Sequence, residues 1–375
     1  MNDEMTMGGV ARVLNTLMGA LPVDQYEVDC LVLHKRGELL DEIPSQVTVF
    51  EGTSFFEAVD WPLKELVKQK KWRLLIKKMI LVFYMKTGLI EKKVAKERKK
   101  IGTKQYDIEV AAKEGFCTIF TAYGDSKKKI NWVLTDYRVC NYSKRHMKLM
   151  KRALEHIDLN VADSQAALTA YEELFGVSGG VAIHNLMDVN KVRTGMKETW
   201  QKDFDMNMVN VIAIARFHFQ KRIDRLLLAH QSAIAAGLDH HLYLVGSGEE
   251  EGKLRAMVKE KKLDQVTFLG LMKNPYGLLA QCDLFVLSSE YEGFATIVNE
   301  SLIAATPVLA TKVSGISEQL IDKSHGWIVG NNQEDLSNGY IDAIKDSKQL
   351  KEMKKQLQSY EYPNDKILKQ FEAIF

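Results

Sequence analysis

The chain holds only four cysteines in 375 residues, and Cys30, Cys117, Cys140 and Cys282 lie far apart with no CxxC pair. No His/Cys cluster stands at metal-ligand spacing either. Neither a disulfide framework nor a zinc site is expected, and a reducing, cytoplasmic compartment is the simpler reading. Long apolar runs are also missing. In the basic segment the longest is Met79–Met85, seven residues, where a bilayer span needs about 20. The start, Asn2-Asp3-Glu4, has none of the basic and apolar character of a secretory leader. With 6 prolines, no low-complexity tract and 46% apolar residues, disordered and collagen-like classes fall away. A soluble or peripheral globular protein of two domains fits this length.

An excess of one charge is missing overall, with 51 Lys and Arg against 49 Asp and Glu. That balance is local in origin. Lys64–Lys104 carries 15 basic and 3 acidic residues, so the rest of this +2 chain sums to −10. Any argument about partners must therefore be made segment by segment.

What is present is an alternation of short β-branched runs with amphipathic stretches. In the second half Val209–Ala215, His241–Gly246, Val266–Gly270, Leu284–Ser289, Pro307–Thr311 and Gly326–Gly330 read as strands. Helical periodicity fills Arg222–Ala236, Glu249–Lys262 and Thr296–Ala305 between them. Such alternation predicts βαβ units around a parallel sheet, whose strands are apolar throughout because helices cover both faces. The first half repeats the pattern less regularly, with strand candidates at Tyr26–Leu33, Val47–Phe50, Ile108–Ala112, Thr118–Tyr123, Ile130–Leu134, Leu159–Ala162 and Val181–His184. The break is placed between Val181–Ile183 and the charged stretch Lys191–Lys202. The expected fold is α/β, two Rossmann-like domains facing a central cleft, with ligands at the carboxyl ends of the strands.

Glu290-Tyr-Glu292-Gly293-Phe294-Ala295-Thr296 follows the strand Leu284–Ser289 directly and leads into a helix that ends before Pro307. A helix N-terminus there offers N–H groups and a positive dipole end to an anion. Glu292 and Glu300 are eight residues apart, about 12 Å along a helix. That spacing suits two hydrogen-bonding tasks along an extended ligand better than one acid/base pair. Two solvated glutamates on an ordinary strand–turn–helix would read the same way. Arg216-Phe-His-Phe-Gln-Lys221 follows another strand and sets two cations on one loop. Arg grips phosphate oxygens as a planar fork and Lys adds a mobile point charge, a pairing suited to a diphosphate. An ordinary surface loop is the plain alternative. Gly8-Gly9 opens a helix and admits a ligand near the backbone, a weak signal alone. Gly246-Ser-Gly248 reads as a tight turn before an acidic helix start.

Taken together these blocks resemble the retaining, sugar-nucleotide-dependent glycosyltransferases of family four, which have the two-Rossmann GT-B fold. Glu292 to Glu300 fits the family's E-x7-E within an EGF block followed by Pro307-Val308. Ala215-Arg216-Phe217 with Lys221 fits its GRL…K block, Gly8-Gly9-Val-Ala-Arg-Val its N-terminal glycine loop, and Ala182–Asp188 its interdomain linker. The resemblance implies an acceptor-side domain at 1–187, a donor domain at 188–362 and a closing helix at 363–375 that returns to the first domain. It implies transfer of a sugar from a nucleoside diphosphate sugar, UDP-linked, to a glycan or lipid-linked acceptor in cell-surface polysaccharide synthesis, with no cofactor and no obligatory metal. Arg216 and Lys221 would hold the diphosphate. Glu292, with backbone N–H groups from Gly293, Phe294, Ala295 and Thr296, would orient the donor. Glu300 would meet the ribose hydroxyls, Gly8 and Gly9 would close on the donor, and Trp132 and Asp136 would face the acceptor.

The sequence departs from the family at four places. Leu134 stands where many relatives have a histidine, and Arg222, Ala295 and Ala305 stand where glycine is usual. The resemblance also expects a strand before Gly8. Met1–Met7 is too polar and short for one, so the first strand is expected to be missing through an N-terminal truncation. Leu134 and that gap keep open a catalytically weak or inactive glycosyltransferase-like partner subunit, and the two-Rossmann plan is shared with nucleotide-sugar epimerases. For residues 64–104 three readings stand: solvated helices of the first domain, docking to an anionic membrane from the cytoplasmic side, and nucleic-acid binding, which no reader motif accompanies.

Overall fold

The computed structural model describes residues 1–6, 8–59, 61–102, 104–138, 143–198, 200, 204 and 208–375. Cys140, Met7 and Lys202, named above, lie outside them. Two compact units result, Met1–Leu186 with Asp365–Phe375, and Met187–Asn364.

The first unit runs α1 (Gly9–Ala20), β1 (Asp29–Val32), β2 (Thr48–Glu51), α2 (Leu63–Lys68), α3 (Trp72–Thr87), α4 (Ile90–Ile101), β3 (Ile108–Ala111), α5 (Phe116–Ala122), β4 (Lys128–Val133), α6 (Lys144–Leu154), β5 (Leu159–Ala162), α7 (Gln165–Phe175) and β6 (Val181–Ala182). All its strand pairs are parallel, in a pair β1-β2 and a sheet β3-β4-β5-β6. Helix limits follow local chemistry. Ser164 caps α7 by accepting the Ala167 N–H at 3.2 Å, and Gly176 ends it at φ 68°.

Residues 1–5 fill the place where a first strand was expected to be missing. The Asn2 N–H donates to the Leu31 carbonyl at 2.9 Å and the Leu33 N–H to that of Asn2 at 3.0 Å, while the Ala112 N–H reaches the Met1 carbonyl at 2.8 Å. The segment thus lies between β1 and β3. Its polarity is no bar, because backbone groups make these bonds while Asp3 pairs with Lys113 and the Asn2 amide donates to Glu4 at 2.8 Å.

The strand expected over Thr118–Tyr123 is instead helix α5. β-Branched and aromatic residues there favour a strand locally, but Cys117 to Ala122 are all buried, so the helix shows no polar face to betray its period. Tertiary packing against β3, β4 and α6 decides the outcome.

The second unit contains α8 (Val189–Gly195), β7 (Val209–Ile214), α9 (Ile223–Ala235), β8 (His240–Val245), α10 (Glu251–Glu260), β9 (Val266–Gly270), α11 (Tyr276–Gln281), β10 (Leu284–Leu287), α12 (Thr296–Ile303), β11 (Val308–Thr311), α13 (Ile316–Gln319), β12 (Gly326–Val329), α14 (Gln333–Lys345) and α15 (Ser347–Leu357). Its six strands form one parallel sheet in the order β12-β11-β10-β7-β8-β9. Every residue of β10 and β11 is buried, as helices on both faces require. Two apolar clusters, one around Ile212, Phe285 and Val298 and the other around Val211, Leu226 and Tyr340, make up its core.

The last helix, α16 (Asn364–Glu372), belongs from Asp365 onward to the first unit. Its Phe371 ring meets Trp132 edge-on at 5.4 Å, and Lys128 donates to the Ile374 carbonyl at 2.5 Å.

Candidate functional site

Strands β7 and β10 are neighbours, yet the chain leaves β7 toward β8 and β10 toward β11, in opposite directions across the sheet. Loops leaving such a pair part and open a crevice at their carboxyl ends. The two loops here are Ala215–Arg222 and Ser288–Ala295, which carry the strongest sequence signals.

They are joined at their centre by Lys221 and Glu292. The Lys221 ammonium donates to Glu292 Oε1 at 2.6 Å, and Ser289 Oγ donates to the same oxygen at 2.6 Å. Lys221 is itself placed by the backbone, since Ser288 Oγ donates to its carbonyl at 2.8 Å. Gln220 ties the loops twice, its Nε2 donating to the Tyr291 carbonyl at 2.8 Å and its carbonyl accepting the Glu290 N–H at 2.7 Å. An ammonium has three donors, so Lys221 keeps capacity for an anion while paired. Arg216 lies exposed on the same β7–α9 loop. His218, two residues on, is held below its ordinary value by burial and by Arg216; its Nδ1 accepts the Gln220 N–H at 3.3 Å.

Behind the pair, Arg222 takes φ 48°, in the left-handed region. Its guanidinium spans Glu290 at 2.6 Å and Asp224 at 3.0 Å, and Arg225 reaches the same Glu290 at 2.8 Å. Gly246 and Gly248 let the β8–α10 turn lie against this loop. A Cβ on Gly246 would stand 1.9 Å from the Ala215 carbonyl oxygen, and one on Gly248 2.3 Å from that of Phe217. The turn is thus shaped by contact with the site loop more than by capping.

The backbone donors expected from Gly293 to Thr296 need correction at one position. The Ala295 N–H donates to Gln319 Oε1 at 3.2 Å, and Gln319 Nε2 returns a bond to the Ala295 carbonyl at 2.9 Å. That N–H is already taken by a side chain of α13. Gly293, Phe294 and Ala295 are buried, Thr296 opens α12, and Glu300 lies buried further along that helix.

The remaining expected residues lie in the first unit. Gly8 and Gly9 are exposed at the start of α1, and no atom stands within 4 Å of a Cβ built on Gly8. Trp132 does not face an acceptor: it is 2% exposed, within β4, against Phe371. It is the fifth residue of a strand whose last four residues are all buried. Asp136 is 3% exposed, and its carboxylate is gripped by Arg138 at 2.7 Å. In this structure it supports Arg138 rather than facing solvent. The Leu134 N–H donates to Glu114 at 3.0 Å.

Ser289, Gln220, Gln319 and Arg225 were not singled out from sequence. A signal existed for Ser289, since a strand ending in two serines that are both buried must find partners for them. Gln319 gave none, because its partner lies 24 residues away through a tertiary contact.

Comparison with known proteins agrees with this layout. Residues 197–360 match the family described as glycosyl transferases group 1. N-acetyl-alpha-D-glucosaminyl L-malate synthase of Bacillus anthracis is 26% identical over 250 residues, 64% of this chain and 65% of that protein. A Campylobacter jejuni N-acetylgalactosaminyltransferase acting on a diphospho-undecaprenol-linked sugar is 31% identical over 132 residues, 34% of this chain and 36% of that protein. The chain thus spans under two thirds of the length of both. Among solved structures, Anabaena Alr3699/HepE in complex with UDP and glucose superposes with a TM-score of 0.74 at 18% identity, covering 100% of this chain and 98% of that one. Sucrose-phosphate synthase of Thermosynechococcus elongatus gives 0.70 at 16% identity, with 98% and 92% covered. At such identities these structures speak to the fold, two Rossmann-like units of the GT-B type. With that fold around the Lys221–Glu292 loops, the matched residues 197–360 that enclose them are similar to the group 1 glycosyl transferases.

Proposed function

We propose that the protein transfers a sugar from a UDP-sugar to a glycan or lipid-linked acceptor with retention of anomeric configuration, in cell-surface glycan synthesis. The observation that carries this reading is the Lys221–Glu292–Ser289 arrangement at the switch point of the second sheet, with Arg216 on the same loop. In the transfer the bond from the sugar's anomeric carbon to the diphosphate oxygen breaks, and one to an acceptor hydroxyl oxygen forms. Negative charge grows on the departing diphosphate as that bond breaks, and the acceptor hydroxyl's proton passes to it. Arg216 and Lys221 neutralise that charge where a metal would otherwise be needed, and Glu292 orients the sugar through its hydroxyls. Glu300 accepts from the ribose. The relatives' names, which include transferases acting on lipid-linked sugars and on poly(ribitol-phosphate), support a glycan acceptor, and the UDP complexes of fold neighbours support the donor class. The enzyme works in the cytoplasm, peripherally at the inner face of the membrane. Among the described residues no helix is long and apolar enough to cross one.

Leu134 in the usual histidine position, with Asp136 held by Arg138, favours a second reading, a binding subunit of low activity. Thermal shift against a panel of nucleotide sugars tests the first. One UDP-sugar at about 100 times its Kd raises stability by about 2.7 kcal/mol, a rise of several degrees. A flat response across UDP, its sugars and other nucleotide sugars would sink the donor-site reading.

A further inference from the structure

We propose that the outward face of α3 lies in the plane of an anionic bilayer and anchors the first unit to it. The inference rests on the peripheral reading above and identifies the element responsible. A surface helix ordinarily turns its apolar stripe inward and its charges to water. Helix α3 turns a second apolar stripe outward. Trp72, Ile76, Met79 and Phe83 are 59%, 60%, 62% and 57% exposed, and their spacing of four, three and four residues sets them on one stripe, with Ile80 beside it. Its inner side holds the buried Leu81, the half-buried Tyr84 and Met85 packed against the core, and two lysines turned to the protein: Lys77 pairs with Glu57 at 2.8 Å and Lys78 donates to the Val59 carbonyl at 2.5 Å.

Leu63 and Val67 on α2 and Leu89 after α3 are exposed as well. Eight of the fourteen exposed large apolar side chains among the described residues therefore fall within residues 63–89. So dense a patch marks an interaction surface, whereas single exposed apolar residues would need no explanation.

Charge selects the occupant. Between 63 and 89 the chain has eight basic residues and one acid, Glu65, and Lys64, Lys68, Lys70, Arg73 and Lys86 are exposed around the apolar stripe. Anionic headgroups meet both features at once: acyl chains and glycerol take the stripe to a depth of about 5–10 Å, and phosphates take the flanks. A second copy of this chain would instead bring like charges face to face across a two-fold axis. Helix α4 adds the exposed Lys92, Lys96 and Lys99, while its other cations are engaged within the protein. There Lys93 and Lys100 are bound to Glu97 at 2.6 and 2.9 Å, and Arg98 is buried on Glu109. At 16 residues, α3 is too short to span and long enough to lie flat.

The test is co-sedimentation of the full chain with phosphatidylcholine vesicles that contain or lack phosphatidylglycerol, for wild type, Ile76→Ser with Phe83→Ser, and Arg73→Gln with Lys86→Gln. Wild type should pellet with the anionic vesicles. The apolar pair of changes should lower partitioning at least about tenfold, and each charge removed should lower it about fivefold on anionic vesicles only. All four side chains are exposed, so the variants should keep the wild-type thermal midpoint and the UDP-induced shift. Anionic vesicles that capture the Ile76→Ser, Phe83→Ser variant as well as wild type would overturn the role of α3 while leaving the peripheral reading intact. No capture of wild type would end both, without touching the donor site. A wild-type dimer abolished by the same variant, with no vesicle binding, would make the partner a second copy and refute the proposal.

Discussion

Arg222 and Ala305 hold φ of 48° and 57°, a region where a Cβ costs about 1 kcal/mol and glycine is at ease. Both stand where the resembled family usually has glycine, and both hold a backbone conformation that glycine favours. The two differ in what the side chain returns. Ala305 is a buried methyl group, whereas Arg222 bridges Glu290 and Asp224 beneath the Lys221 loop. Ala305→Gly should therefore raise stability by about 0.5–1 kcal/mol in denaturant titration. Arg222→Gly should gain less or lose, since relief of strain is offset by a Glu290 left with Arg225 alone. Equal gains from both would show that the Arg222 bridges contribute nothing. At this scale the sequence was a good guide to Lys221 and Glu292, whose residue types and flanking strands announced them. It was silent on Gln319, whose bonds to Ala295 depend on where α13 packs.

Among the elements, strands buried on both faces were legible because their apolar runs have one interpretation in a βαβ alternation. Helix α5 was not, since a wholly buried helix and a buried strand look alike in so short a run. Nor was α3. Its mixture of lysine and apolar residues was plain, but periodicity cannot say which face turns outward, and Lys77 and Lys78 reverse the usual assignment. One consequence belongs to the packing of α9, β8 and α14. His230 and His240 are fully buried with ring centroids 4.4 Å apart, and Tyr340 lies 5.3 Å from His240. Burial, with His240 and His241 beside it, holds the His230 imidazole down to about 3 from 6.5. The folded state keeps the ring neutral while the unfolded chain protonates it. Stability is therefore fully present above pH 6.5 and is lost as pH falls from there toward about 3. At pH 5 the loss from this group is about 2 kcal/mol. His230→Leu should flatten the decline of Tm between pH 7 and pH 5; an unchanged slope would place the acid sensitivity elsewhere.

For the molecule as a whole, near-zero net charge conceals a division of labour. The first unit holds the +12 segment, whose α2 and α3 carry the exposed apolar stripe, and the second holds Arg216 and Lys221 on a switch-point loop. The two-unit plan was readable from alternation alone, as was the placement of Arg216, Lys221 and Glu292 at strand ends. That Lys221 and Glu292 touch was not readable: 71 residues separate them, and only the order β10-β7 makes their loops neighbours. The start of the chain went the same way, since the polarity of Asn2 and Asp3 hid a segment whose backbone bonds to β1 at Leu31 and to β3 at Val110. The central claim is that this contact belongs to a sugar-transfer site. Release of UDP from the UDP-sugar that gives the largest thermal shift, measured for wild type, Lys221→Ala and Glu292→Gln, tests it most directly. The account predicts turnover by wild type and a loss of about a hundredfold or more in each variant, with the fold retained. Variants that release UDP at the wild-type rate would contradict it.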